Sequence, residues 1–234
     1  MTIRILLVDA NILFRKGVAA LLSQHNDFHV VGDLGCGKEA TQKAVSLAMD
    51  MVLIDVMLAG TNGLDCAAEI KRRAPQVRAI IFTHSRDEEH LVVALRSGIE
   101  GYVLKDASVE ELMLAIRSVA SGKRYLSQEI SAKVLANLLH PAAAKSNVPH
   151  LESLTRRERG ILQLIAEGKT NRGAAEFLNV SPKTVEKHRA SLKHKLGLHK
   201  PIDILLAAVE MGLVERPASL SRVMRDGAAG AWHA

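Results

Sequence analysis

The sequence predicts an α/β fold at the front of the chain, a doubly wound five-stranded parallel sheet, followed by a second, all-α domain built around a helix-turn-helix. Three observations carry this. Short apolar runs alternate with helical stripes over the first 125 residues, two prolines amid Ala, Ser and Asn break that pattern near residues 140–153, and the net charge of +6 lies wholly behind the break. Residues 1–140 hold 16 Lys or Arg and 16 Asp or Glu, whereas residues 141–234 hold 15 and 9. With 234 residues, 48% of them hydrophobic, the chain is long enough to fill two cores.

Taken in order, residues 3–8, 29–31, 51–57, 79–82 and 101–104 read as strands, and the third and fourth runs lack polar alternation, as strands covered on both faces do. Helical stripes follow each of them: Phe14, Val18, Leu21 and Leu22; Ala40, Ala44, Val45 and Leu47; Leu64, Ala67, Ala68 and Ile70; Leu91, Ala94 and Leu95; and Leu112, Ala115, Ile116 and Val119. A further helix is expected over residues 128–139. The expected units are an α/β domain at 1–124, a helix and linker at 125–153, a helix-turn-helix domain at 154–215 and an Ala- and Gly-rich flexible tail at 216–234. In a doubly wound sheet, ligands bind at the carboxyl ends of the strands. Asp9, Asp55, Thr83 and Lys105 fall at those ends.

Other classes find little support. The run after Thr2 is too short and too weakly preceded by positive charge for a signal peptide, and no stretch approaches a membrane span, so a cytoplasmic location with no membrane partner is expected. Cys36 and Cys66 lack metal-ligand spacing and read as reduced thiols. Gly35, Gly37, Gly60 and Gly63 form neither a P-loop nor a dinucleotide fingerprint. A hydrolase with Asp55 as nucleophile would need a general acid nearby, yet Val56 and Met57 follow directly. A non-enzymatic role is expected.

The basic C-terminal part opens with Thr155, followed three residues later by Glu158 and then by Ile161, Leu162, Leu164 and Ile165, a capping box before an apolar stripe. A short helix at 172–178 is separated by Asn179 and Val180 from a second, with Ser181 as N-cap and Pro182 at its first position. Projecting that second helix at about 100° per residue groups Val185, Leu192 and Leu196 on the core side. Lys183, Glu186, Lys187, Ala190 and His194 fall opposite. Residues 181–200 hold six Lys or Arg against one Glu, suited to neutralising phosphates while the helix enters a major groove of double-stranded DNA.

Residues 154–198, LTRRERGILQLIAEGKTNRGAAEFLNVSPKTVEKHRASLKHKLGL, closely resemble the LuxR-type helix-turn-helix of bacterial transcription factors, through MGLV at 211–214. The front half resembles response-regulator receiver domains, which are flavodoxin-like, in VD at 8–9, LIDVM around Asp55, NGLD at 62–65, FTH around Thr83 and GYVLKD at 101–106. Together they resemble NarL/FixJ-type response regulators. The resemblance implies that Glu186, Lys187 and Ala190 read bases and that Lys183, Thr184, Arg189 and Lys193 contact the DNA backbone. Glu186 stands where Lys is frequent, which predicts an unusual recognition sequence. The last helix, with Leu205, Leu206 and Val209, is implied in a homodimer contact.

For the front half the resemblance implies a phosphoacceptor at Asp55, phosphoryl binding by Thr83 and Lys105 in an acid pocket with Asp9, a switch at Tyr102 and a sensor histidine kinase as partner. Mg²⁺ would be held by Asp9, Asp55 and the main-chain carbonyl of Met57. The second acid after the first strand is replaced by Ala10, Asn11 and Ile12 stand where His-Pro is frequent, and Ala59 where Pro is usual. Ala10 predicts a weakened metal site, since one unit charge about 4 Å from another is worth roughly 4 kcal/mol at an effective dielectric of 20. Two readings follow: a receiver still phosphorylated at Asp55, or a phosphorylation-independent regulator whose receiver serves dimerisation or ligand sensing.

Overall fold

The computed structural model describes residues 2–139, 151–198 and 200–214. Four apolar residues in succession put β1 (Ile3–Val8) in the middle of the sheet, buried on both faces from Ile5 onward. Asn11 accepts the Phe14 N–H and starts α1 (Ile12–Ser23). There follow β2 (Phe28–Leu34), α2 (Gly37–Lys43), β3 (Met51–Ile54), α3 (Gly63–Arg73), β4 (Arg78–Thr83), α4 (Glu88–Arg96), β5 (Gly101–Leu104) and α5 (Val109–Ala120). Asn62, Asp87 and Ser108 cap α3, α4 and α5 through side-chain oxygens. After α5 come β6 (Tyr125–Leu126) and α6 (Gln128–Leu139).

The strands are parallel in the order β2-β1-β3-β4-β5-β6, and the chain reverses direction across the sheet between β1 and β3. That reversal opens the crevice where Asp9 and Asp55 lie. Alternation along the strands splits the core into two layers. Ile5, Leu7, Leu53, Ile80 and Val103 pack with Val18 of α1 and with Leu112, Ala115, Ile116 and Val119 of α5. Leu6, Val8, Val52, Ile54 and Ile81 pack on the opposite side with Leu64, Ala67 and Ile70 of α3 and Leu91 and Ala94 of α4.

Differences from expectation are local. The second strand is longer than 29–31, and the third ends at Ile54 rather than 57, where the Asp55 N–H makes the last bond to Val8 O and the chain turns. In the second stripe Ala40 and Ala44 are buried, whereas Val45 is exposed because α2 stops at Lys43. The two-residue β6 adds a sixth strand to the edge, too short to show any periodicity. Of the expected linker at 140–153, residues 140–150 lie outside the described residues, as does the tail at 216–234, and residues 151–153 form a 3-10 turn.

The helical domain begins with a 3-10 turn (Leu151–Ser153), followed by α7 (Arg156–Ala166), α8 (Asn171–Leu178), α9 (Pro182–Leu196) and α10 (Pro201–Glu210). Thr155 and Glu158 close their capping box reciprocally. Asn179 ends α8 at φ 53°, a conformation Asn tolerates better than most residues, and so makes the tight turn into α9. Ser181 caps α9 with Pro182 in its first turn. Ile161, Leu164, Ala174, Val185, Leu192, Ala208 and Met211 form the core of the domain.

Candidate functional site

The acid pocket is built from four strand ends. Asp9 follows β1, Asp55 follows β3, Thr83 ends β4 and Lys105 follows β5. Parallel pairing of these strands brings the four residues to one edge of the sheet. The Lys105 Nζ lies 2.6 Å from Asp9 Oδ2 and 2.5 Å from Asp55 Oδ2, with all three side chains less than a tenth exposed. It also sits over the Phe14 ring, 4.8 Å from its centroid. The other oxygen of Asp9 accepts the Asn11 N–H at 2.8 Å. Asp55 Oδ1 is buried and has no hydrogen-bond partner among the described residues.

A buried carboxylate oxygen left unpaired is costly, and a cation or an electrophile would meet that need. The unpaired oxygen of Asp55, beside Asp9, therefore fits a divalent cation, and Ala10 offers no second carboxylate after β1. Among the described residues no group of three His, Cys, Asp or Glu could hold a metal. The void bounded by Asp9, Phe14, Arg15, Asp55 and Phe82 is only about 10 Å³, room for about one water.

Sequence reasoning missed Arg15. Its guanidinium is buried, donates to the Asp9 carbonyl and to Asp33 Oδ1 at 3.3 Å, and so fixes the loop that carries Asp9 and Ala10. Gly63 is a backbone requirement of the same pocket, because a Cβ there would overlap the Asp55 carbonyl oxygen. Thr83 accepts the Ser85 N–H at 3.2 Å, and the Tyr102 hydroxyl donates to Ser85 O at 2.9 Å. Burial pushes the Tyr102 phenol up, so it stays a neutral donor.

At the other end of the molecule, Lys183, Glu186, Lys187, Ala190 and His194 are exposed along one side of α9, while Val185 and Leu192 are buried on the other. Thr184 is tied to the cap, its hydroxyl 2.8 Å from Ser181 Oγ. Arg189 reaches Asn171 Oδ1 at 3.1 Å, bracing α9 against α8, and Lys193 is half-buried.

Between these ends lies a seam that no sequence signal had singled out. Arg159 forms a bidentate pair with Asp65, and both side chains are largely buried. Arg156 reaches Glu69 Oε2 at 2.8 Å. Arg72, then Arg73 and Arg156, hold the Glu69 carboxyl down to about 2. The loop after Asp55 takes part directly: Gln163 Nε2 donates to Leu58 O at 2.6 Å, and the Gly60 N–H donates to Glu167 Oε1 at 2.9 Å. Gly60 has φ 70° and lies under the Phe177 ring, where a Cβ would come within 2.5 Å of Cζ. Lys38 Nζ donates to Phe177 O at 3.1 Å.

Residues 5–117 match the family described as response regulator receiver domain, and residues 152–208 match bacterial regulatory proteins of the luxR family. The chain is 36% identical over 196 residues to the transcriptional regulatory protein LiaR of Bacillus subtilis, covering 84% of this chain and 92% of that one. The chain belongs to the response regulators with a LuxR-type DNA-binding domain. The oxygen regulatory protein NreC of Staphylococcus aureus is 35% identical over 216 residues, 91% of this chain and 99% of its own. Among solved structures, a LuxR-family response regulator from Aurantimonas shares 27% identity at a TM-score of 0.58, covering 60% of this chain and all of that one. The RcsB response regulator of Salmonella typhimurium shares the fold, at 23% identity, a TM-score of 0.63 and coverage of 90% and 98%.

For a response regulator the pocket residues stand together as the motifs suggest, and the two ends are joined by the seam. Arg156 and Arg159 at the start of α7 oppose the helix dipole there, and the carboxylates of Glu69 and Asp65 meet them. No helix of the described residues is long and apolar enough to cross a membrane.

Proposed function

We propose that this response regulator binds double-stranded DNA through α9 as a homodimer in the cytoplasm, and that Asp55 still accepts a phosphoryl group, inefficiently, from a sensor histidine kinase. The observation that carries the second part is Asp55 itself: one oxygen is held by Lys105, and the other is buried without a partner. Phosphoryl transfer would form a bond from an Asp55 carboxylate oxygen to phosphorus as the bond to the donor's leaving group breaks. Lys105 and Thr83 would then face the new oxygens, and Lys105 would exchange a carboxylate for a phosphoryl group. Mg²⁺, held by Asp9, Asp55 and the Met57 carbonyl, would supply charge neutralisation. Its hold is weakened by Ala10.

In α9, Glu186, Lys187 and Ala190 would meet base edges and Lys183, Thr184, Arg189 and Lys193 the phosphates, with α10 as the dimer contact. The division expected from the sequence, a receiver at 1–124 and a DNA-binding domain at 154–215, would assign input and output to separate units. In this reading the seam restrains the DNA-binding domain until the loop after Asp55 moves. The second reading, a phosphorylation-independent regulator, is favoured by Ala10 alone. Intact-mass measurement after incubation with Mg²⁺ and acetyl phosphate separates them: a single phosphoryl adduct, absent from Asp55→Asn, supports the first. No adduct, under conditions that modify an ordinary receiver, supports the second.

A further inference from the structure

His90 of α4 is 1% exposed and lies between the acid pocket and the helical domain. Its Nδ1 is 2.7 Å from Ser85 Oγ, and its Nε2 is 3.3 Å from the carbonyl oxygen of Met211, just past α10. One neutral tautomer serves both contacts, with Nε2–H donating to Met211 and Nδ1 accepting the Ser85 hydroxyl. The Asp87 N–H donates to that same Ser85 Oγ at 3.3 Å, consistent with this direction. The next residue, Gly212, has φ 59°, and a Cβ there would overlap the imidazole ring, so backbone and ring are fitted face to face. From Ser85 the line continues to Thr83 Oγ1, which accepts the Ser85 N–H, and to the Tyr102 hydroxyl, which donates to Ser85 O.

The wider cleft along the seam, about 490 Å³, is lined by Lys38, Glu69, Arg73, Arg156 and Phe177, but Glu69 is paired with Arg73 and Arg156, and Lys38 donates to the Phe177 carbonyl. The imidazole instead ties the Ser85 loop beside Thr83 to the end of the helical domain.

We propose that His90 is a positioning residue that latches the DNA-binding domain onto the receiver, linking Thr83 through Ser85 to Met211 and Gly212, and that displacement of Ser85 or protonation of the ring releases it. The proposal rests on the reading that the seam restrains the DNA-binding domain. Displacement acts because Thr83, drawn toward a phosphoryl group, takes the Ser85 backbone with it. Protonation acts because Nδ1 can no longer accept the Ser85 hydroxyl, and the cost of burying the cation exceeds the attraction of Asp87, Glu89 and Asp55.

The charged groups around the ring are Asp87 and Glu89 in the first turn of α4 and Asp55 in the pocket, while α10 contributes the Met211 carbonyl. Burial holds the imidazole below its ordinary value against the pull of these groups. The sign follows: the closed form binds the proton more weakly than the open form. Closure is complete above the ordinary histidine value of about 6.5 and is lost as pH falls from there toward the depressed value.

The test is amide hydrogen exchange at residues 207–213 of the full-length chain, corrected for intrinsic rates, at about pH 8 and about pH 5.5, on either side of the ordinary histidine value. Opening of the wild type should rise several-fold on acidification, by at most about tenfold per pH unit for one proton. His90→Ala should be open at both pH values. His90→Gln, polar but unable to titrate, should stay more closed than His90→Ala and lose the acid response. An acid response retained in His90→Gln, or unchanged protection in His90→Ala, overturns the latch. Asp65→Ala separates the two layers of the argument: if it opens the seam while His90→Ala does not, the latch fails and the restraining seam stands. If neither variant opens it, the restraint itself fails.

Discussion

The acid pocket and the reading face of α9 differ in every physical respect. In the pocket, Asp9, Asp55 and Lys105 are enclosed and bound to one another around about 10 Å³ of free space. On α9, Lys183, Glu186, Lys187, Ala190 and His194 lie open to solvent. The helical domain docks through other surfaces: Arg156, Arg159, Gln163 and Glu167 of α7, Phe177 of α8 and the carbonyl of Met211. The input end is shut, and the output end is uncovered. If α9 reads bases as proposed, the receiver would not restrain the protein by covering those side chains; it would fix where α9 is carried, and so how two copies could present a pair of helices to one duplex.

The strongest way to break this contrast is at the Asp65–Arg159 pair. Removing one partner of a buried pair costs about 3–5 kcal/mol while the survivor stays buried. In Asp65→Ala, Arg159 escapes that cost by leaving the seam, so small-angle scattering should show a larger radius of gyration, with far-ultraviolet circular dichroism unchanged. An unaltered radius would mean that the pair does not hold the domains. At the shut end, Ala10→Asp restores a carboxylate near the cation site. The full interaction of about 4 kcal/mol is an upper bound, and exposure of Ala10 reduces it to about tenfold tighter Mg²⁺ binding, read by titration. Unchanged affinity would show that Ala10 does not weaken the site.

At the open end, Lys183→Ala should weaken binding across DNA sequences and lower the slope of log K against log salt by about 1 if it meets a phosphate. Changed preference at one base pair with an unchanged slope would place it on a base edge. Glu186→Ala should alter sequence preference instead. The smallest effect concerns Glu69, whose carboxyl is held down to about 2 by Arg72, Arg73 and Arg156. Its folded value is depressed, so its contribution is complete above the ordinary carboxylate range and is lost as pH falls through about 2. Scattering of Glu69→Gln should therefore match the wild type more closely near pH 2 than at neutral pH. A constant difference would assign the link elsewhere.

The strand-end residues were legible because a parallel ladder aligns successive strands, so acids and a lysine placed after apolar runs must converge. The two faces of α9 were legible because rotation of about 100° per residue leaves few alternatives once Val185 and Leu192 need a core. The seam was not, because its partners are far apart in sequence and each reads locally as a solvated charge. Asp65 and Glu69 share a face of α3 at a spacing of four, and Arg156 and Arg159 share one of α7 at a spacing of three, but only the fold matches them. Arg15 and His90 were hidden for a similar reason: a polar residue in a helix declares its burial only when the neighbouring element is in place.

Gly60 carries a consequence for building new regulators from parts. Because the Phe177 ring occupies the space a side chain would fill, a receiver transplanted from another protein with a larger residue at that place would have to displace the ring, and strain its own backbone at φ 70°, before this DNA-binding domain could seat as it does here. The two halves are fitted to one another at this point, and a hybrid made by exchanging them would keep the fit only if the residue under the ring were exchanged too.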